Sequence, residues 1–134
     1  GKELMRLSIR CHDGLNEHTD LTIEFLKKFN NDIKSIVEIT KSFKPKDYAD
    51  FAPEIFRAMD NHDSNAKKII ESEVILIEQS LMASGFSEQN AFCLIGGLGK
   101  LFLPFLSDKF INTCKPPKGN ALQGAIAIAK REFF

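Results

Sequence analysis

The chain has no tryptophan and a single tyrosine, and its 18 lysines and arginines are matched by 18 aspartates and glutamates. A net charge of zero removes the basic excess that a dedicated nucleic-acid binder carries. No apolar run approaches the roughly 20 residues that span a bilayer, so no membrane association is expected. The opening Gly1-Lys2-Glu3-Leu4-Met5-Arg6-Leu7 does not read as a secretory signal. Only three cysteines occur, Cys11, Cys93 and Cys114, far apart and with no CxxC pair. Such a sparse, odd count on apolar segments fits reduced thiols and makes the cytoplasm the expected compartment. His12, His18 and His62 have no metal-binding spacing, and no metal site is expected. No spacing suggests a Ser-His-Asp or Cys-His pair, so no catalytic residue is expected either.

What the chain has is apolar bulk. Phenylalanine, leucine, isoleucine and valine account for 41 of 134 residues, well above a disordered segment. One domain covering residues 1–134 is the expectation.

The pattern is mostly helical. Leu4, Leu7, Cys11 and Leu15 fall at helical spacing, with Gly14 near the stop. No Ser, Thr, Asp or Asn caps that first turn, which reads as a helix cut from a longer chain, with a processed terminus as the alternative. Thr19 or Asp20 can cap a helix carrying Leu21, Phe25 and Phe29. Asn30 or Asn31 can cap the next, where Ile33, Ile36, Val37 and Thr40 share a face until Pro45 ends the run. Tyr48, Phe51, Ile55, Phe56 and Met59 mark one or two short helices, with Pro53 in a first turn. The longest helix is expected over residues 64–84, striped by Ile70, Val74, Ile77 and Leu81 and stopped at Gly85.

Beyond Gly85 the pattern changes. Residues 91–95 read as a short buried strand entering a glycine turn, and residues 109–114 as a second strand. Pro104 keeps the segment 100–106 short or kinked. Asn120 and Gln123 form a capping-box-like start to a last helix with Leu122, Ala125, Ile126 and Ala129. Two lone strands make no stable sheet, so they either pair against the helices or complete a sheet formed elsewhere.

Two small-residue segments stand out, Gly96-Gly97-Leu98-Gly99 and the start of the last helix from Gly119 and Asn120 to Gly124. Glycine lets backbone come close to a phosphate or ribose. The first segment is neither a dinucleotide fingerprint nor a P-loop. Phe102 stands where the third glycine would be, and Leu101 follows Lys100 where Ser or Thr would hold magnesium. A tight turn without a ligand and a half-site for a nucleotide are both open on these residues. Lys100, Lys115 and Lys118 flank the two segments and favour phosphate or are simply solvated.

In order and spacing, four stretches resemble the C-terminal lobe of bacterial glucosamine and N-acetylglucosamine kinases of the BadF/BadG ATPase family. They are Phe29-Asn30-Asn31-Asp32-Ile33-Lys34-Ser35-Ile36-Val37, Asp47-Tyr48-Ala49-Asp50-Phe51-Ala52-Pro53-Glu54-Ile55-Phe56, residues 93–99 and residues 120–129. The resemblance implies an α/β fold of the ribonuclease H-like, actin-like ATPase type, mostly helical here with two or so short strands. It implies transfer of the γ-phosphate of ATP to the 6-hydroxyl of an amino sugar. Gly96, Gly97, Leu98 and Gly99 would border the ribose and adenine, with Gly119 and Asn120 near the same pocket. The family's Asp-Gly-Gly-Gly-Thr phosphate motif and the aspartate that activates the sugar hydroxyl are not in these residues. Mg2+ would therefore be held mainly outside this chain, the N-terminal lobe is missing, and the chain alone is expected to be inactive. The resemblance also brings a homodimer into view, with residues 64–84 or Phe133-Phe134 contributing, although an apolar end tucked onto the core fits equally.

Two other readings compete. An activator-type ATPase of the same superfamily needs cysteines for an iron–sulfur cluster, which the scattered Cys11, Cys93 and Cys114 do not suggest. A helical interaction module explains the amphipathic helices but gives no reason for the glycine segments. The choice between glucosamine and N-acetylglucosamine is not legible here.

Overall fold

The structure is a computed structural model and describes residues 1–133. Phe134, named above as a dimer contributor, lies outside the described residues. Nine α-helices follow one another among them: α1 (Lys2–His12), α2 (Asp20–Lys27), α3 (Ile33–Thr40), α4 (Pro45–Ala49), α5 (Ala52–Asp60), α6 (Ser64–Ala83), α7 (Gly99–Phe102), α8 (Asp108–Thr113) and α9 (Ala121–Phe133). A 3-10 turn, Leu103–Phe105, takes Pro104 in its first positions. The chain divides into two compact units, one spanning Gly1–Gln79 and one starting at Ser80.

The first unit closes around the helices that the sequence pattern marks. α1 packs on α2, and α2 on α5. Leu4 and Cys11 of α1, Leu21, Phe25 and Leu26 of α2, Ile36 of α3, Ile55 of α5 and Ile69 and Ile70 of α6 are buried. Phe25 stands at the centre of an aromatic group, with ring centroids 5.2 Å from Phe29 and 5.3 Å from Phe51. Pairs in this range add to the plain burial of the rings.

Buried and half-buried polar groups tie the helices together. The Asp63 carboxylate accepts from the Asn65 and Ala66 amides at the start of α6 (2.9 and 3.0 Å), and from the Leu21 amide of α2 (3.2 Å). One side chain thus satisfies orphan donors of two helices. Asn65 Nδ2 and Cys11 Sγ both donate to the Glu17 carbonyl, at 3.0 and 3.2 Å.

The caps differ in detail from the sequence reading. Thr19 occupies the N-cap position of α2, but its own hydroxyl has no partner. Instead the Thr22 hydroxyl accepts from the Thr19 amide (3.0 Å) and donates to the Thr19 carbonyl (2.9 Å). For α3 the cap is Asp32, which accepts from the Lys34 amide (2.9 Å) and the Ser35 hydroxyl (2.8 Å). The Ser35 hydroxyl holds the Asp32 carboxyl below its ordinary value. Asn30 and Asn31, expected as caps, instead adopt left-handed backbone at φ 54 and 57, which asparagine tolerates. Pro45 opens α4 as well as following the end of α3.

The second unit departs from expectation. No strand or sheet forms among the described residues, so the α/β, actin-like fold class is corrected to an all-helical one. Of the two expected strands, only one isolated parallel bridge survives, between Phe92 and Cys114, with the Lys115 amide donating to the Phe92 carbonyl at 2.8 Å. Residues 91–95 find no further backbone partner that would extend this bridge into a ladder, and a lone pair of short segments is marginal in water. Residues 109–114 fall largely in α8, because Ser107 and Asp108 start a helix there and Phe110 is drawn fully into the unit's interior. The run Phe110-Ile111 was too short for periodicity to separate strand from helix.

The interior of this unit is small. Phe86, Phe92 and Phe110 form a ring cluster at centroid distances of 4.8 to 6.2 Å. Leu106 and Phe110 are its only fully buried apolar residues among those described. Helix α9 has no buried residue at all, and Leu122, Ile126, Ile128 and Phe133 stand exposed along it.

Candidate functional site

The glycine turn lies on the surface of the second unit. Gly96, Gly97 and Leu98 form an exposed turn between the Phe92 bridge and α7. The Leu98 carbonyl accepts from the Leu101 and Phe102 amides, at 3.0 and 3.1 Å, which closes the first turn of α7. No side chain caps that helix.

The three glycines are there for different reasons. Gly96 has φ +85, a conformation that a residue with a Cβ rarely takes. At Gly99 an added Cβ would sit 2.9 Å from the Leu94 Cβ, so packing demands a small residue. Gly97 has neither constraint. Its φ is not left-handed, and a Cβ there would meet nothing within 4 Å. The folded chain itself gives no reason for glycine at 97, and the space above its backbone is open.

The second segment begins at Gly119 and Asn120 and is also exposed. Here the expected capping box closes reciprocally. The Asn120 amide donates to Gln123 Oε1 (2.8 Å), and the Gln123 amide donates to Asn120 Oδ1 (2.9 Å). Asn120 is therefore committed to the helix start, while Gly124 in the next turn has open space around it.

The Phe92–Cys114 bridge is parallel, so both segments run the same way out of it, with Gly96 four residues after Phe92 and Gly119 five after Cys114. No hydrogen bond among the described residues joins the 96–99 turn to Gly119 or Asn120. Lys100, Lys115 and Lys118 are exposed and form no ion pair among the described residues. A cavity of about 200 Å³ lies beside the ring cluster, lined by Leu81, Gly85, Phe86, Asn90 and Phe92, and Gly96, Gly97 and Gly99 are not part of its wall. The turn offers open backbone flanked by exposed lysines.

No group of three or more His, Cys, Asp or Glu side chains among the described residues is arranged to hold a metal ion. Cys11 is buried and Cys93 exposed, with Cys114 between. No helix among the described residues is long and apolar enough to cross a membrane.

Comparison with known proteins points toward sugar kinases. The chain is 30% identical over 129 residues to the glucosamine kinase GspK of Vibrio cholerae serotype O1. The match takes in 96% of this chain and 44% of that kinase, so the chain spans less than half the length of its curated relative. No family model matches the chain, and no solved structure matches it.

Proposed function

We propose that this chain is part of an ATP-dependent amino-sugar kinase of the BadF/BadG type and supplies the adenosine side of its nucleotide site. The backbone of Gly96, Gly97, Leu98 and Gly99 would border ribose and adenine, and Gly119 with Asn120 would lie along the same pocket. ATP supplies the transferred phosphoryl group when bound. The Mg2+ and the acceptor amino sugar, glucosamine or N-acetylglucosamine, would be held mainly by residues outside this chain.

The observation that carries the reading is Gly97. A mid-turn glycine with ordinary φ and empty space above it fits a position kept bare for a planar group to approach. The similarity to a glucosamine kinase over 96% of the chain supports the same reading. Phosphoryl transfer relies on positioning and on charge neutralisation by metal and donors. The exposed lysines and bare turn described above supply at most a fraction of that, so the 134-residue chain alone is expected to show no kinase activity.

The test is Gly97→Val in the native protein that carries this chain. The expected result is a rise of roughly tenfold or more in the ATP concentration needed for half-maximal rate, with the amino-sugar requirement and circular dichroism unchanged. Unchanged ATP dependence would favour the helical assembly module instead, a reading that gains from the all-helical fold and from the exposed apolar residues of α9.

A further inference from the structure

Away from the glycine turn, the first unit contains a cleft of about 630 Å³ whose walls come from α1 and α6 and the segment after α1. Its lining includes Arg6 and Arg10 of α1, Lys68 of α6, and the lone acid Glu3, over an apolar base that includes Leu7 and Ile69. The cleft thus carries a net charge of +2 within a chain whose total is zero. Arg6 and Arg10 are one helical turn apart and share a face. Lys68 reaches the same space from a helix far along the sequence.

The two guanidinium groups are positioned rather than free. Glu3 Oε1 accepts from Arg6 Nη1 at 2.7 Å, and Asn16 Oδ1 accepts from Arg10 Nε at 3.0 Å. Arg10 therefore spends only its inner nitrogen, and both terminal nitrogens remain without a partner. Lys68 forms no ion pair among the described residues. A planar fork with both outer donors available matches two oxygens of one anion, and a nearby ammonium adds a point charge.

We propose that this cleft binds a small-molecule phosphate monoester. A dianion balances the surplus of two positive charges, which a single carboxylate would not. The Arg10 fork takes two phosphate oxygens, Lys68 and Arg6 complete the neutralisation, and the apolar base accommodates the carbon skeleton. The volume suits a ligand of sugar-phosphate or nucleotide-monophosphate size. The site is separate from the glycine turn and stands whether or not the kinase reading does.

The test is an NMR titration of the full chain with inorganic phosphate, glucosamine 6-phosphate and AMP, with sulfate as a simple-anion control. Saturable amide shifts confined to α1, residues 13–16 and the first half of α6 are expected at millimolar ligand or below. Stronger binding of glucosamine 6-phosphate than of AMP identifies a sugar-phosphate source, and the reverse order a nucleotide. Arg10→Ala and Lys68→Ala should each weaken binding roughly tenfold, and Arg10→Lys should not restore it, because the fork is lost. Both positions are exposed, so the variants should keep the parent spectrum elsewhere. No saturable shift with any phosphate, or equal affinity in the parent and both alanine variants, would overturn the proposal. Sulfate binding as tightly as every phosphate ester would overturn it too.

Discussion

The two units are made from the same kinds of residue and reach opposite outcomes. Eleven buried apolar residues lie in the first unit and two in the second. In the first, α1, α2, α5 and the start of α6 bury apolar residues together, and the polar atoms of Asp63 and Asn65 bind segments far apart in the sequence, although Leu15, Ile23, Val37, Ile39, Ile75 and Leu76 stay exposed. In the second, Ile95, Leu98, Leu101, Leu122, Ile126 and Ile128 remain exposed around a core of three phenylalanines. Closing a core needs several elements that present apolar faces to one another. The second unit has the short α7 and α8, one bridge and a 13-residue α9 that buries nothing, and the candidate nucleotide turn sits in this open half. Binding surfaces are commonly drawn from the less stable parts of a molecule.

The largest expected contrast is between two fully buried phenylalanines. Phe25→Ala should destabilise the first unit by about 3–5 kcal/mol, the usual cost of emptying a well-packed aromatic site. Phe110→Ala should cost clearly less, because its few neighbours can collapse into the space. Denaturant titrations followed by circular dichroism measure both, and equal losses would break the comparison.

Asp63→Ala probes the polar tie. Three backbone donors on two helices lose their acceptor, and a loss of about 2 kcal/mol is expected. Amide exchange should then quicken at Leu21, Asn65 and Ala66 before it does in the middle of α2.

The smallest effect is expected in α9. Gly124→Ala adds a Cβ that meets nothing within 4 Å. It should raise helicity there by about 1 kcal/mol in local propensity, while leaving the denaturation midpoint of the first unit unchanged. A shift of that midpoint, or no gain in helicity, would contradict the expectation.

How far the sequence could be read depends on whether a feature is local or needs distant partners. The 20 residues of α6, the stop at Gly85 and the Asn120–Gln123 box were legible, because helical spacing and cap chemistry are local. The cap of α3 was misplaced by one or two residues, since Asn30, Asn31 and Asp32 all carry capping side chains and only geometry chooses among them. The strands at 91–95 and 109–114 failed because a strand depends on partners that a short apolar run does not specify. Gly96 and Gly97 look alike in the sequence. Only the backbone angle and the empty space separate a glycine required by the turn from one that the fold does not require. The cationic cleft was invisible, since Lys68 meets Arg6 and Arg10 only through the packing of the first unit.

The most direct measurement is amide hydrogen exchange on the native protein with and without ATP. The expected result is slower exchange at residues 96–101 and 119–123 when ATP is present, with the helices of the first unit unchanged. No change at those residues, or protection confined to the first unit, would contradict a nucleotide role for the open half of the molecule.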